Sequence, residues 1–178
     1  MPGLHHVRNA LLLMAAQLLV GCGSEDPRTE YALAPEQSNV AVTVDGEVAD
    51  VGATDGVVVL RGEGCPGTEC SVMLTRVQVD IEDFPASDFQ VRDASLYNVA
   101  TFSGTEDADG RIVFDRVTAA ILFRAVVDGE QVDVPLYLEE EPTARIDGTG
   151  RLELELSVSG SVQGRQLALD ALLVGSRS

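Results

Sequence analysis

Catalytic side chains are scarce in this chain of 178 residues. Its two histidines, His5 and His6, lie in the first ten residues, and the sequence contains no lysine and no tryptophan. If that end is cleaved, Ser-His-Asp, Cys-His and Ser-Lys arrangements and Schiff-base chemistry lack their base or amine. A pair of carboxylates acting on a glycosidic bond remains, but spacing singles out no pair among the 29 acidic residues. The residue types predict a protein that is not an enzyme and carries no cofactor.

Cys65 and Cys70 are the cysteines of the predicted folded region, in the segment Cys-Pro-Gly-Thr-Glu-Cys. The Pro-Gly pair favours a turn that brings the two thiols together. In an exported chain, the oxidising compartment then favours a disulfide. A redox pair is the alternative, but the spacing is longer than that of redox motifs, and no lysine or histidine is present to activate a thiol. We expect a structural disulfide between Cys65 and Cys70.

The acidic loop that ends at Gly110 has a spacing related to that of a calcium site. With the invariant glycine of an EF-hand loop placed at Gly110, Asp107 and Asp109 fall at ligand positions. The bidentate glutamate of that loop would fall at Arg116, so the motif is incomplete. A solvated turn is the main expectation, and Asp107 and Asp109 are kept as weak calcium candidates.

The first 22 residues have the features of an export signal. A short, weakly positive start precedes Ala10–Val20, a largely apolar run of eleven residues that is too short to span a bilayer. The run leads into Leu19-Val20-Gly21-Cys22, which resembles the lipobox of bacterial lipoproteins. The resemblance implies that residues 1–21 are a cleaved signal peptide and that Cys22 is lipidated and becomes the new N-terminus. An ordinary secretory signal with an incidental cysteine is the alternative.

The residues after Cys22 bear on location and on the tether. Gly23 stands where an aspartate would resemble the inner-membrane retention signal of enteric bacteria. Its presence favours the outer membrane, on the periplasmic face or at the surface. Residues 22–37 are polar and acidic and show no periodicity, so we expect a lipid anchor followed by a flexible tether. A single domain is expected over residues 38–178.

Residues 38–178 have the pattern of an all-β domain. Asp-Gly dipeptides separate alternating apolar segments, and Asp-Gly favours tight hairpins because both residues tolerate a positive φ. No segment shows sustained helical periodicity. The pattern predicts about ten short antiparallel strands in a β-sandwich or a small closed barrel, without choosing between them. The dipeptides begin at Asp45, Asp55, Asp109, Asp128 and Asp147.

Two hairpins have registers that the sequence itself tests. Two-residue turns at Asp128-Gly129 and Gln163-Gly164 place apolar residues opposite one another on one face. The opposite face of the second hairpin is mostly polar, as in an antiparallel sheet with one solvated side. The predicted apolar pairs are Ala125–Val132, Phe123–Val134, Ile121–Leu136, Ala119–Leu138, Gly160–Leu167, Val158–Leu169, Leu156–Ala171 and Leu154–Leu173.

Pro135 constrains the strand that follows the turn at Asp128. It lies opposite Leu122, with its missing N–H on the outer side of the hairpin. We therefore expect residues 130–138 to form an edge strand, or the outer pairing of that strand to stop at Pro135. The acidic run Glu139–Glu141 would discourage edge-to-edge association.

Charge and architecture set the function classes. A net charge of −17 opposes binding to nucleic acid and to anionic lipid headgroups. The partners expected are the membrane, through the lipid anchor, and an envelope protein. The main hypothesis is a lipid-anchored, non-enzymatic interaction or structural module. The alternatives are a lipocalin-like carrier of a small apolar ligand inside a closed barrel, and a weak calcium-binding envelope protein.

Overall fold

The structure, a computed structural model, describes residues 28–62, 70–86, 89–115 and 121–178. These residues form thirteen antiparallel strands and one short 3-10 helix, Pro35–Gln37, so the all-β prediction is confirmed. Among them, no helix is long and apolar enough to cross a membrane. The strands are β1 (Arg28–Leu33), β2 (Asn39–Val44), β3 (Glu47–Arg61), β4 (Cys70–Ile81), β5 (Phe84–Ala86), β6 (Phe89–Asn98), β7 (Phe102–Glu106), β8 (Arg111–Phe114), β9 (Ile121–Val127), β10 (Glu130–Leu138), β11 (Thr143–Ile146), β12 (Arg151–Val162) and β13 (Arg165–Arg177).

The strands follow an up-and-down path of eight antiparallel runs. β3, β12 and β13 each form one run, and the other five runs contain two strands in line: β1 with β2, β4 with β5, β6 with β7, β8 with β9, and β10 with β11. Each run pairs with the next, and β13 pairs with both strands of the first run. The single sheet therefore closes partly into a ring, which corresponds to the barrel rather than the two-sheet sandwich of the sequence-based alternatives.

The ring has two ends that differ in what they carry. At the terminal end, β1 begins and β13 ends, and loops 107–110 and 147–150 connect neighbouring strands. At the hairpin end lie the turns after β2, β9 and β12. β1, β7, β8 and β11 belong to the terminal half and β2, β6, β9 and β10 to the hairpin half, while β3, β4, β12 and β13 run through both.

Few residues are paired between β10 and β12 within the ring. Only Tyr137–Ser159 and Leu138–Val158 are paired there, so the predicted interruption of outer pairing at Pro135 is confirmed. A Cβ on Gly160 would lie 2.7 Å from the carbonyl oxygen of Pro135, so glycine is needed where the strands pass most closely. The closure is therefore partial at this step.

Both predicted hairpin registers are confirmed over the described residues. The two turns have a positive φ at each central residue: 51° and 87° at Asp128 and Gly129, and 50° and 82° at Gln163 and Gly164. These are the values of type I′ turns, whose twist matches that of the strands. The predicted pair of Ala119 with Leu138 lies outside the described residues.

Two of the predicted Asp-Gly turns are wrong in part. Asp55-Gly56 lies within strand β3, at a bulge in its pairing with β4, so the chain does not reverse there. A Cβ on Gly56 would lie 2.6 Å from the backbone oxygen of Gln78, and close packing explains this glycine. Asp147-Gly148 does begin a loop between strands, but the positive φ, 80°, belongs to Gly150.

The strand count is also higher than predicted, and four strands have 12 to 15 residues.

Strand structure begins upstream of the predicted boundary at Ser38. β1 pairs with both β13 and β3, and the Tyr31 side chain is completely buried. Tyr31 and Leu33 alternate onto the inner face, so a short segment read as part of the flexible tether completes the ring instead. Ser38 is buried and satisfied: its hydroxyl donates to the carbonyl of Ala34 and accepts from the N–H of Val174.

The inner face of the ring is filled by apolar side chains. The bulkiest fully buried residues are Tyr31, Phe102, Phe114 and Phe123, which come from four different strands and three runs. An eight-stranded closed sheet has an interior just wide enough for side chains to fill or for one small ligand. Here side chains fill it, and the polar residues of the alternating strands point outward.

Candidate functional site

The outer face of β6, β9 and β10 carries a group of apolar and aromatic side chains. The register places Tyr97 opposite Leu122 and Leu122 opposite Pro135. Tyr137 follows Pro135 by two residues on the same face and is 47 % exposed. Because neighbouring strands lie about 4.8 Å apart and two residues along a strand span about 7 Å, these side chains form one patch. We refer to Tyr97, Leu122, Arg124, Pro135 and Tyr137 as the tyrosine face.

Arg124 connects the tyrosine face to a charged pair beside it. Its Nε and Nη2 atoms donate to the two carboxylate oxygens of Asp133, at 2.7 and 3.0 Å. This hydrogen bonding raises the pKa of Arg124 and lowers the pKa of Asp133. The guanidinium carbon also lies 5.2 Å from the centre of the Tyr97 ring, within cation–π distance. The two contacts together hold the guanidinium over the tyrosine.

A hollow of about 330 Å³ adjoins the tyrosine face, with Arg76, Tyr97, Asn98 and Arg124 among its lining residues. Asn98 stands where β4 changes its partner from β6 to β7. Its side chain accepts a hydrogen bond from the N–H of Val77 at 2.7 Å and donates to backbone carbonyls, replacing the ladder bonds interrupted there. Arg76 donates to Gln78, and no carboxylate of the described residues pairs with it.

The composition of this surface is that of a protein-binding hot spot. Tyrosine and arginine are enriched at such sites, where large, stiff side chains contribute much contact area at small entropic cost. Of the three tyrosines in the chain, one is buried in the ring and the other two lie on the tyrosine face. Other exposed apolar side chains, such as Val48 and Leu172, lie on strands away from this patch.

An acidic hollow of about 660 Å³ lies where β4 ends, lined in part by Asp80, Glu82, Asp83 and Asp93. Glu82 accepts a hydrogen bond from the N–H of Gly52, and Asp83 accepts one from the N–H of Asp93. In the part of the chain that the structure describes, no group of three or more histidine, cysteine or acidic side chains is arranged to hold a metal ion. The observed role of Glu82 and Asp83 is to support two strand irregularities.

The calcium candidates lie in the loop between β7 and β8. Asp107 directs Oδ1 at its own loop, accepting hydrogen bonds from the N–H groups of Asp109 at 2.9 Å and Arg111 at 3.0 Å. This is the arrangement of an Asx turn, in which the carboxylate shapes the backbone. Calcium binding by Asp107 and Asp109 stays a prediction.

Two other predicted sites depend on residues outside the described ranges. Cys22, the predicted lipidation site, and Cys65, one partner of the predicted disulfide, both belong to that part of the chain. Cys70 begins β4, and its backbone is paired opposite Glu106 of β7. The lipid anchor and the Cys65–Cys70 disulfide therefore stay predictions.

The tyrosine face was not identified from the sequence, although part of its signal was present. The register of the 121–138 hairpin already places Leu122 opposite Pro135 on the outer face. Tyr97 joins them only through the pairing of β6 with β9, which no turn connects. Comparison with protein-family models finds no match, and neither does comparison with curated protein sequences. The candidate site therefore rests on the chemistry and geometry of the chain's own residues.

Proposed function

We propose that this protein is a lipid-anchored, non-enzymatic interaction module of the bacterial cell envelope, and that its tyrosine face binds an envelope protein. The observation that supports this proposal is the grouping of two tyrosines, an arginine, a leucine and a proline on the outside of a closed sheet. The lipobox resemblance at Cys22 supports the location.

The strands beneath the tyrosine face give it a rigid support. Leu96 and Phe123, the inward neighbours of Tyr97 and Leu122, are almost completely buried in the core. A binding surface built on packed strands loses little conformational entropy when a partner docks, because its backbone is already ordered. Arg124 is likewise held in position by Asp133 before any partner arrives.

The chemistry of the patch indicates what a partner must present. An apolar or aromatic group would pack against Tyr97, Leu122 and Tyr137. An acidic side chain at its edge would find Arg76, which bonds only a neutral glutamine among the described residues. The partner expected is therefore a protein surface with an apolar centre and a carboxylate at its rim, the usual arrangement of an interface core and rim.

The packing of the ring supports an interaction module over the carrier alternative, because the inward side chains of the described strands are buried against one another. A hollow at the hairpin end, lined by Val42, Val44 and Phe84 among others, has a volume of about 80 Å³. Pockets that bind small molecules have volumes of about 300–1,000 Å³. The space beside these inner residues is thus well below that of a ligand pocket.

Site-specific photo-cross-linking in intact cells tests this proposal. A photoreactive phenylalanine in place of Tyr137 should give one discrete cross-linked protein product. The same residue in place of Leu172, which is also exposed but lies on β13, is the matched control and should give none. Products of equal yield from both positions, or a product from position 172 alone, would contradict the assignment of the binding surface.

A further inference from the structure

Arginines are concentrated at the terminal end of the ring, although the chain as a whole is strongly acidic. Hydrogen bonds connect the segments of this end: the N–H of Ser178 donates to Glu30, and the N–H of Ile146 donates to Gly110. We refer to the arginines of this end as the arginine rim. They are Arg28, Arg61, Arg111, Arg145, Arg151 and Arg177.

Four of these arginines form two like-charged pairs. Arg28 is directly opposite Arg61 on β1 and β3, and Arg111 is directly opposite Arg145 on β8 and β11. All four side chains are exposed, and no carboxylate of the described residues forms an ion pair with them. Like charges directly opposite on neighbouring strands are destabilising. Two such pairs at one end indicate that an anion is the partner they lack.

The acidic side chains near the rim are largely engaged locally. Asp107 and Asp147 accept hydrogen bonds from the backbone of their own loops, and Glu153 is paired with Arg151. Glu30, Glu106 and Asp109 also lie at this end, so six acidic residues among the described residues balance the six arginines. The four guanidinium groups, which form no ion pair with a described residue, match the geometry of oxyanions through paired N–H donors.

The charged residues at the hairpin end are arranged differently from those at the terminal end. Of the arginines in the hairpin half, Arg124 and Arg165 are already paired, with Asp133 and Asp45, while the exposed Arg92 has no ion pair among the described residues. Further acidic residues surround the turns there, including Glu47 and Glu130. Among the described residues, most arginines without an ion pair therefore lie at the terminal end, while acidic residues outnumber arginines at the hairpin end.

The position of the rim relative to Cys22 connects it to a membrane. β1 begins at Arg28, and only five residues separate Arg28 from Cys22. A chain segment of that length spans at most about 22 Å even when fully extended. If Cys22 is lipidated, the arginine rim is therefore held close to the lipid headgroups, with the hairpin end directed to the far side of the ring.

We propose that the arginine rim docks on the anionic headgroups of the membrane that holds the lipid anchor, with the Arg28–Arg61 and Arg111–Arg145 pairs binding lipid phosphates. This inference rests on the lipid anchor of the proposed function. Net charge does not oppose it at short range, because charges beyond about 8 Å are screened at physiological salt. Docking directs the hairpin half, and with it the tyrosine face, away from the bilayer toward a partner.

Hydrogen–deuterium exchange on the lipidated protein tests this inference. The protein is reconstituted in vesicles of phosphatidylcholine alone and in vesicles that also contain phosphatidylglycerol. With phosphatidylglycerol, amides of residues 107–111 and 147–151 should exchange more slowly, while those of residues 45–47 and 128–130 should not change. High salt should remove the difference. Equal exchange in the two vesicle types, or protection at the hairpin end, would overturn the proposal.

Paired substitutions identify the groups responsible. Arg28→Gln with Arg61→Gln, and Arg111→Gln with Arg145→Gln, should each weaken the protection by about fivefold per arginine removed. Arg92→Gln with Arg165→Gln removes the same charge away from the rim and should leave the protection intact. Because the rim variants relieve like-charge contacts, they should unfold at the same temperature as the wild type or higher. Full protection in both rim variants would refute the assignment.

Flotation of the vesicles tests the lipid anchor separately from the docking of the arginine rim. Wild-type protein and both rim variants should float with the vesicles, and Cys22→Ala protein should not. If wild-type protein purified from its envelope does not float, the lipid anchor fails. If it floats but shows no lipid-dependent protection, the anchor stands and the docking of the rim is wrong.

Discussion

At the scale of single residues, two aspartates shape the loops of the terminal end. Asp107 and Asp147 each accept hydrogen bonds from the backbone N–H groups two and four positions later. At Asp147 the hydroxyl of Thr149 adds a third bond. These bonds, led by that of Thr149, hold the pKa of Asp147 below its ordinary value. The ionised carboxylate is therefore part of the loop structure.

Low pH should destabilise this loop, because it protonates the carboxylate of Asp147. Since its pKa is lower in the folded state, its contribution to stability is complete above the unfolded value of about 4 and is lost as the pH falls through the lower folded value. Asp147→Ala should lower the unfolding temperature at neutral pH, and the difference from wild type should shrink in acid. Thermal unfolding from about pH 7 to about pH 2 measures this.

Asp147→Asn is the control for that experiment. It keeps an oxygen that can accept the same hydrogen bonds but cannot titrate. Its unfolding temperature should therefore lie between those of wild type and Asp147→Ala at neutral pH, with a weaker acid dependence than wild type. A difference between wild type and Asp147→Ala that stays constant down to about pH 2 would exclude the proposed role of the charge.

At the scale of elements, the sequence predicted local pairing and missed pairing at a distance. The hairpin turns at Asp128 and Gln163 set their own registers, because a slip of one residue would expose the apolar set. The strand containing Tyr31 could not be found in this way, since its partners β3 and β13 include residues more than 140 positions away. The prediction of a turn at Asp55-Gly56 was wrong because β-bulges and turns favour similar residues.

The loop at Asp147 gives an element-scale prediction about its glycines. Gly150, with a φ of 80°, has a left-handed conformation, while a Cβ at Gly148 would meet open space. Gly150→Ala should destabilise the protein by about 1–2 kcal/mol. Gly148→Ala is the matched control and should be neutral or slightly stabilising. Chemical denaturation measures both changes in stability. Equal losses of stability would mean that Gly150 is not the glycine that needs the left-handed conformation.

At the scale of the whole molecule, closure and charge distribution were beyond the sequence pattern. Ring closure depends on the pairing of β13 with β1 and β2, which joins the two ends of the described chain and therefore has no local signal. Net charge is a sum over the whole chain. The value of −17 therefore does not indicate that four arginines at the terminal end lack ion pairs with described residues. The tyrosine face likewise exists only once β6, β9 and β10 are neighbours.

Native mass spectrometry of the protein, released gently from its own envelope, tests the central proposal most directly. We expect a complex with a protein partner that is lost in Tyr97→Ser and Tyr137→Ser variants and kept in the control Leu172→Ser. A reproducible small-molecule mass with no protein partner would instead favour the carrier. Protein without any partner, or a complex that both tyrosine variants retain, would contradict the tyrosine face as the binding surface.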